Sequence, residues 1–304
     1  MSNIIQTHEL SKRFRRTDAL RGLNFEVPQG SILALVGPNG AGKTTAIKLL
    51  MNIHRASAGS AEVLGVDSRT LGPAQFAQIG YVSENQEMPE WMSVGYFLDY
   101  WKPFYPTWDR DLERELVRQL ELPLDRKINQ LSRGMKMKAA LASSLAYRPK
   151  LIVLDEPFSG LDALVRDELI EGILDRAAES TILISSHDLA EIESFATHVA
   201  FLEEGSLRFS EEMDSLTGRF REITLTFDHE ASVPSNLPQA WLDVEASGSV
   251  LRLVDSLYEE ATTAAAIRTN FGDVRDIRIA TVPLRSIFVT LARADRVARR
   301  SAKQ

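Results

Sequence analysis

Residues 37 to 45 read Gly-Pro-Asn-Gly-Ala-Gly-Lys-Thr-Thr, the spacing G-x-x-x-x-G-K-[ST] that cradles a triphosphate. Small residues at Gly37, Gly40, Ala41 and Gly42 let successive N–H groups, that of Asn39 included, turn inward on an anion. The helix start that follows adds its dipole. Lys43 brings a point charge to the β- and γ-phosphates, the Thr44 hydroxyl is suited to Mg²⁺, and Thr45 continues the cradle. This motif asks for a nucleoside triphosphate and its magnesium. It leaves open what hydrolysis would drive.

Two acids and a histidine complete the chemistry. Asp155 ends the apolar run Leu151–Leu154 and can hold Mg²⁺ through a water. Glu156 follows directly and points to the other side of the strand end, where it can polarise an attacking water. His187 follows a second apolar run, Thr181–Ser185, and reaches the same sheet edge. Ser132 and Gly134 make a helix start, a serine N-cap followed by a small residue whose N–H can approach a phosphate.

The elements that must position these groups alternate along the first two-thirds of the chain. Ser31–Val36 reads as a buried strand and Thr44–Asn52 as the helix after it. Runs without polar alternation at Leu151–Leu154 and Thr181–Ser185 indicate a parallel sheet covered on both faces. Between them the segment 88–148 is rich in helix and aromatic residues, as an inserted helical subdomain would be. Near Arg219 the character changes. Ile223, Leu225 and Phe227 alternate with polar residues, and Leu242–Ala246 and Val250–Val254 flank a turn at Ser247–Gly248. Ser256 and Glu259 predict a capping box before an alanine-rich helix reaching about Thr269. Ile277 and Ile279 mark a strand, and Leu284, Ile287, Phe288 and Leu291 one helical stripe. The expected fold is α/β, a mixed sheet with a helical subdomain over 1–218, then a small α+β domain over 219–304.

Composition limits the alternatives. The 304 residues are 44% apolar and 25% charged, with no cysteine, which excludes a disulfide scaffold, a thiolate zinc site and a cysteine nucleophile. No run approaches the roughly eighteen apolar residues that would span a bilayer, so a membrane role would act through a partner. A net charge of −7 argues against nucleic acid as a partner.

The order of five motifs carries a resemblance. Residues 37–45 are followed by Leu-Ser-Arg-Gly-Met at 131–135, Asp155-Glu156-Pro157, Ser-Gly160-Leu161-Asp162, and Ser-Ser-His187-Asp188. Together they closely resemble the ATP-binding-cassette (ABC) transporter ATPases, from about Ile4 to Leu216. The altered signature at 131–135 and the added C-terminal domain resemble ATPases paired with ABC-2-type exporter membrane subunits. The resemblance implies ATP and Mg²⁺ as cofactors and His187 as the γ-phosphate sensor. It places Phe14 against adenine. It implies a dimer of nucleotide-binding domains, homo- or heteromeric, in which Ser132, Gly134 and Asp162 serve the ATP of the opposite subunit. It implies an integral membrane partner and a cytoplasmic location on the inner face of the membrane. The sequence departs from the family at Glu84, where a glutamine is usual, and at Arg133 and Met135, where small and amide residues are usual. We expect Glu84 still to ligate Mg²⁺.

Trp91, Tyr96, Phe97, Tyr100, Trp101, Phe104, Tyr105 and Trp108 crowd the helical segment. Helical spacing assigns Tyr96, Tyr100 and Phe104 in part to core. The resemblance implies that this region receives a coupling helix of the membrane subunit, a contact we assign to Trp91, Met92 and Tyr96. The cations Arg293, Arg296, Arg299, Arg300 and Lys303 suit a helix end, or contact with anionic lipid headgroups. The alternative reading is a soluble, non-transport ABC ATPase. A single cassette, the absence of long coiled coil and the C-terminal domain favour transport.

Overall fold

A computed structural model describes residues 2–234 and 236–301. It divides into two units, Met1–Ser210 and Glu211–Gln304, so the division falls ahead of the 218–219 boundary expected from the sequence.

In the first unit the uninterrupted apolar runs become central strands. β4 (Ile32–Val36), β8 (Leu151–Asp155) and β9 (Thr181–Ser186) are buried along their whole length, as strands covered on both faces must be. With β7 (Ile79–Ser83), β10 (His198–Glu203) and β11 (Ser206–Glu212) they form one sheet, ordered β11-β10-β4-β9-β8-β7. The pairs β10–β4, β4–β9, β9–β8 and β8–β7 are parallel, so these strands end on one edge. Register then decides which residues meet there: Ser83 pairs with Asp155, Asp155 with Ser185, and Ser186 with Val36.

A second sheet contains β1 (Asn3–Phe14), β2 (Thr17–Leu23), β3 (Glu26–Pro28), β5 (Ala58–Val63) and β6 (Val66–Asp67). Its Ile5, Leu10, Leu20 and Leu23 share one core with Leu33 and Leu35 of β4 and Ile47 and Leu50 of α1 (Lys43–Leu50). That core fixes the helix that carries the phosphate loop.

The helices α2 (Pro73–Phe76), α3 (Val94–Trp101), α4 (Arg110–Gln119), α5 (Arg133–Leu145) and α6 (Ala163–Ala177) complete the unit. Four of them start at a side-chain cap: Ser93, Asp109, Ser132 and Asp162 each accept a first-turn N–H. The aromatic residues divide differently from the expectation. Tyr96, Tyr100 and Phe104 lie on the outside, 51%, 45% and 60% exposed, and Trp91 joins them at 64%. Phe97 is buried, and half-buried Tyr105 stacks on buried Tyr147 at 3.8 Å. Met92, expected at the surface, is buried, and its carbonyl accepts the Ile128 N–H at 2.9 Å. It directly precedes the Ser93 cap.

In the second unit, α7 (Met213–Arg219) leads to an antiparallel sheet ordered β13-β14-β12-β15. Its strands are β12 (Arg221–Thr226), β13 (Trp241–Ser247), β14 (Val250–Asp255) and β15 (Asp276–Thr281). Ile223, Leu225, Leu251, Leu253 and Trp241 bury one face against Ile267 of α8 (Glu260–Phe271). The predicted capping box does not form. Glu259 takes the N-cap position without a side-chain cap, and the Ser256 hydroxyl donates to the Ala240 carbonyl instead. α9 (Leu284–Ser301) buries Leu284, Ile287 and Phe288. Arg293 lies 3.5 Å from Asp243. The side chains of Arg296, Arg299 and Arg300, and all of Lys303, lie outside the described residues.

Candidate active site

The loop 37–42 leaves β4 and enters α1 with backbone geometry that other residues would not tolerate. A Cβ at Gly37 would lie 2.0 Å from the Leu202 carbonyl oxygen. At Gly42, φ is 108° and a Cβ would meet the Ala19 oxygen at 2.6 Å. Gly42 is the N-cap of α1 and offers no capping side chain, so the first-turn N–H groups are free to bind an anion.

A cleft of about 740 Å³ opens over this loop. Asn39 through Thr45 form its floor, with Glu84, Glu156, Ser159 and His187 on one wall and Thr17, Asp18, Ala19 and Arg21 of β2, with the Glu204–Gly205 turn, among its other lining residues. The β2 residues were not anticipated from the sequence. They lack a local motif and join the cleft only because β2 pairs with β1 and packs over α1.

Along the cleft runs a chain of contacting charged groups, in which Lys43 and Glu156 are buried and His187 is exposed. Lys43 Nζ is 3.0 Å from Glu156 Oε1 and donates to the Gly37 carbonyl at 2.7 Å. Glu156 Oε2 is 2.7 Å from His187 Nδ1. Glu156 adopts φ 50°, strain of the kind concentrated at functional sites. Its N–H donates to the Ser185 hydroxyl at 2.9 Å, and that hydroxyl donates to Asp155 Oδ1 at 2.7 Å. Thr44 Oγ1 donates to the same Asp155 oxygen at 3.0 Å. Ser185 therefore locks the two acids in place. The β8–β9 register creates this contact, which sequence reasoning did not assign.

Burial pushes the Asp155 carboxyl above its ordinary range, opposed by its bonds from Ser185 and Thr44. The hydrogen bond with Glu156 raises His187 above its usual 6.5, against partial desolvation and the Lys43 charge. Because the folded value is the higher one, this pair's stabilisation is complete below about pH 6.5 and disappears as pH rises through the raised value. Thermal melts of wild type and His187→Ala should therefore differ most below about pH 6.5 and converge in alkaline buffer. A melting gap independent of pH would remove the charged pair from the account.

The other expected residues are placed separately. Glu84 Oε1 accepts from Arg133 at 3.2 Å and from Ser159 at 2.9 Å. Ser132 caps α5 through the Met135 N–H, and Asp162 caps α6 through the Val165 N–H. Gly134 is buried, and a Cβ there would meet Val165 at 2.8 Å, so helix packing already requires glycine. None of these three lines the cleft. Phe14 also stands outside the lining, 41% exposed, with Lys12 Nζ 4.7 Å from its ring centre. It pairs in register with Thr17, which does line the cleft.

Chemically, the cleft combines an anion-binding helix start, a buried lysine and a carboxylate held between two cations or donors. Thr44 and Asp155 supply a hydroxyl and a carboxylate oxygen, the hard donors that suit Mg²⁺.

Comparison with known proteins shows the family to which the chain is related. The family described as ABC transporter matches residues 20–159. The ABC transporter ATP-binding protein YtrB of Bacillus subtilis is 32% identical over 76% of this chain and 79% of its own. A sulfate/thiosulfate import ATP-binding protein, CysA of Nephroselmis olivacea, is 36% identical over 68% of this chain and 62% of its own. The solved structure of an ATP binding subunit of an ABC transporter superposes with a TM-score of 0.65 at 27% identity, covering 71% of this chain and 92% of that one.

Proposed function

Since the chain belongs to the ABC transporter ATP-binding proteins and is an ATPase, we propose that its cleft hydrolyses MgATP to power a separate membrane subunit. The observation that carries the proposal is the contact series Lys43–Glu156–His187 along the cleft, with Lys43 and Glu156 buried and His187 exposed.

In this reading the N–H groups of 39–45 and Lys43 hold the β- and γ-phosphates. Thr44 and Asp155 hold Mg²⁺, with Glu84 as a further oxygen ligand at the wall. Mg²⁺ held by these oxygens would offset the charge that develops on the phosphates. As the triphosphate draws Lys43 away from Glu156, the carboxylate is released to accept a proton from the attacking water. His187 orients Glu156 through Nδ1 and contacts the γ-phosphate side. Phe14 stacks on adenine at the turn end of the β1–β2 hairpin, where it pairs with Thr17. Phosphate release by the purified chain should stop on chelation with EDTA and return with added Mg²⁺; release that continues in EDTA would exclude this arrangement.

Ser132, Gly134 and Asp162 lie outside their own chain's cleft, which supports a dimer in which each subunit completes the other's site. Residues 1–218 act as the nucleotide-binding domain and 219–304 as an accessory domain. The exposed face of Trp91, Tyr96, Tyr100 and Phe104 is the surface we assign to a coupling helix of the membrane subunit. That partner would hold the chain at the inner face of the cell membrane; no helix among the described residues is long and apolar enough to cross it. The altered signature and the appended unit favour export through ABC-2-type partners, and the likeness to an import ATPase is to the cassette that both directions share.

A further inference from the structure

Arg133 has no part in the assignments above, yet it reaches the wall of the nucleotide cleft. It is the first residue of α5, and its Nη2 lies 3.2 Å from Glu84 Oε1. Glu84 follows the end of β7 and lines the cleft. The same Oε1 accepts the Ser159 hydroxyl at 2.9 Å. Beside Ser159, Gly160 has φ 69°, and a Cβ there would lie 3.2 Å from Arg133 Nη1. The missing side chain leaves room for the guanidinium. Three segments thus meet at one carboxylate oxygen: the exit of β7, the start of α5, and the loop that begins at Glu156.

A carboxylate on the wall of a triphosphate cleft opposes its ligand. Like charges a few ångströms apart at surface dielectric weaken binding by about tenfold or more. Arg133, itself outside the cleft lining, pairs with that carboxylate and balances it, while the Ser159 hydroxyl fixes which oxygen is engaged. Both bonds fall on Oε1, so Oε2 keeps its lone pairs for another ligand. Resting on the ATPase reading of the cleft, we propose that Arg133 is a positioning residue that pins and neutralises Glu84, allowing a fully charged triphosphate to enter. Its length is needed as well as its charge, because it spans from α5 to the end of β7.

The test is a double-mutant cycle read by equilibrium binding of a fluorescent ATP analogue, with EDTA and with Mg²⁺, alongside thermal melts. Arg133→Ala should weaken binding about tenfold in EDTA and about threefold with Mg²⁺, because the metal reduces the ligand's charge. In a Glu84→Gln background the same substitution should change affinity by less than about twofold. Arg133→Lys should recover part of the loss in the Glu84 background. Equal weakening in both backgrounds would overturn the proposal, since Arg133 would then act on the nucleotide or on the fold. Equal weakening with and without Mg²⁺ would overturn it too, as would a lowered melting temperature with unchanged affinity. If wild type binds no nucleotide, the ATPase reading itself fails and this proposal with it.

Discussion

Glu156→Gln is expected to lower ATP turnover by about a thousandfold while ATP affinity stays within about threefold of wild type. Glutamine keeps the shape of the side chain and an oxygen for Lys43, which lies 3.0 Å away. It cannot take a proton, and removing a general base costs about two to four orders of magnitude. It also removes the negative charge that competes with phosphate for Lys43, so binding should hold or tighten. The check is steady-state phosphate release together with equilibrium nucleotide binding. A variant that turns over like wild type would remove Glu156 from the chemistry. One that no longer binds ATP would make Glu156 a structural support for the loop.

Lys43→Ala should have the second large effect, on affinity, with turnover lost as well. Charge-assisted hydrogen bonds contribute about 1.5–3 kcal/mol each, so losing the lysine should weaken ATP binding by about ten- to a hundredfold. The same change leaves the Glu156 carboxylate without its cation. Both side chains are buried, 5% and 9% exposed, and breaking such a pair typically costs about 3–5 kcal/mol. Lys43→Ala should therefore melt well below wild type. Adding Glu156→Gln to it should recover much of the stability and none of the turnover. A double variant as unstable as the single would show that the pair is not what holds these residues. Titration calorimetry for binding and thermal melts for stability separate the two effects.

The sequence exposes contiguous chemistry better than chemistry assembled by pairing. The phosphate loop and Asp155-Glu156 are legible because their residues are neighbours and their flanks are plain strands and a helix. His187 was reachable because it follows a buried run that must end on the same sheet edge. Ser185 was not, because its bonds to Asp155 and Glu156 exist only once β8 and β9 align. The β2 wall of the cleft and the Glu84–Arg133 contact are likewise products of tertiary packing between distant segments. Local rules also misled. Helical spacing correctly grouped Tyr96, Tyr100 and Phe104 on one face, but spacing cannot say which face is covered, and this one is open. The pattern Ser256 to Glu259 has capping-box spacing, yet the chain after β14 uses Ser256 to bind Ala240, and the helix begins later. Met92, assigned with Trp91 and Tyr96 to the partner contact, is buried just before the Ser93 cap.

The measurement that bears most directly on the whole account is ATP turnover per chain as a function of protein concentration at saturating MgATP. Ser132, Gly134 and Asp162 do not line the cleft of their own chain, and in the proposed reading a second subunit's copies of them complete each site. Turnover per chain should rise with concentration and level off once dimers predominate. A rate per chain that stays flat from the most dilute sample upward, with a monomer persisting throughout by light scattering, would mean that one chain suffices and that the two-subunit site is wrong.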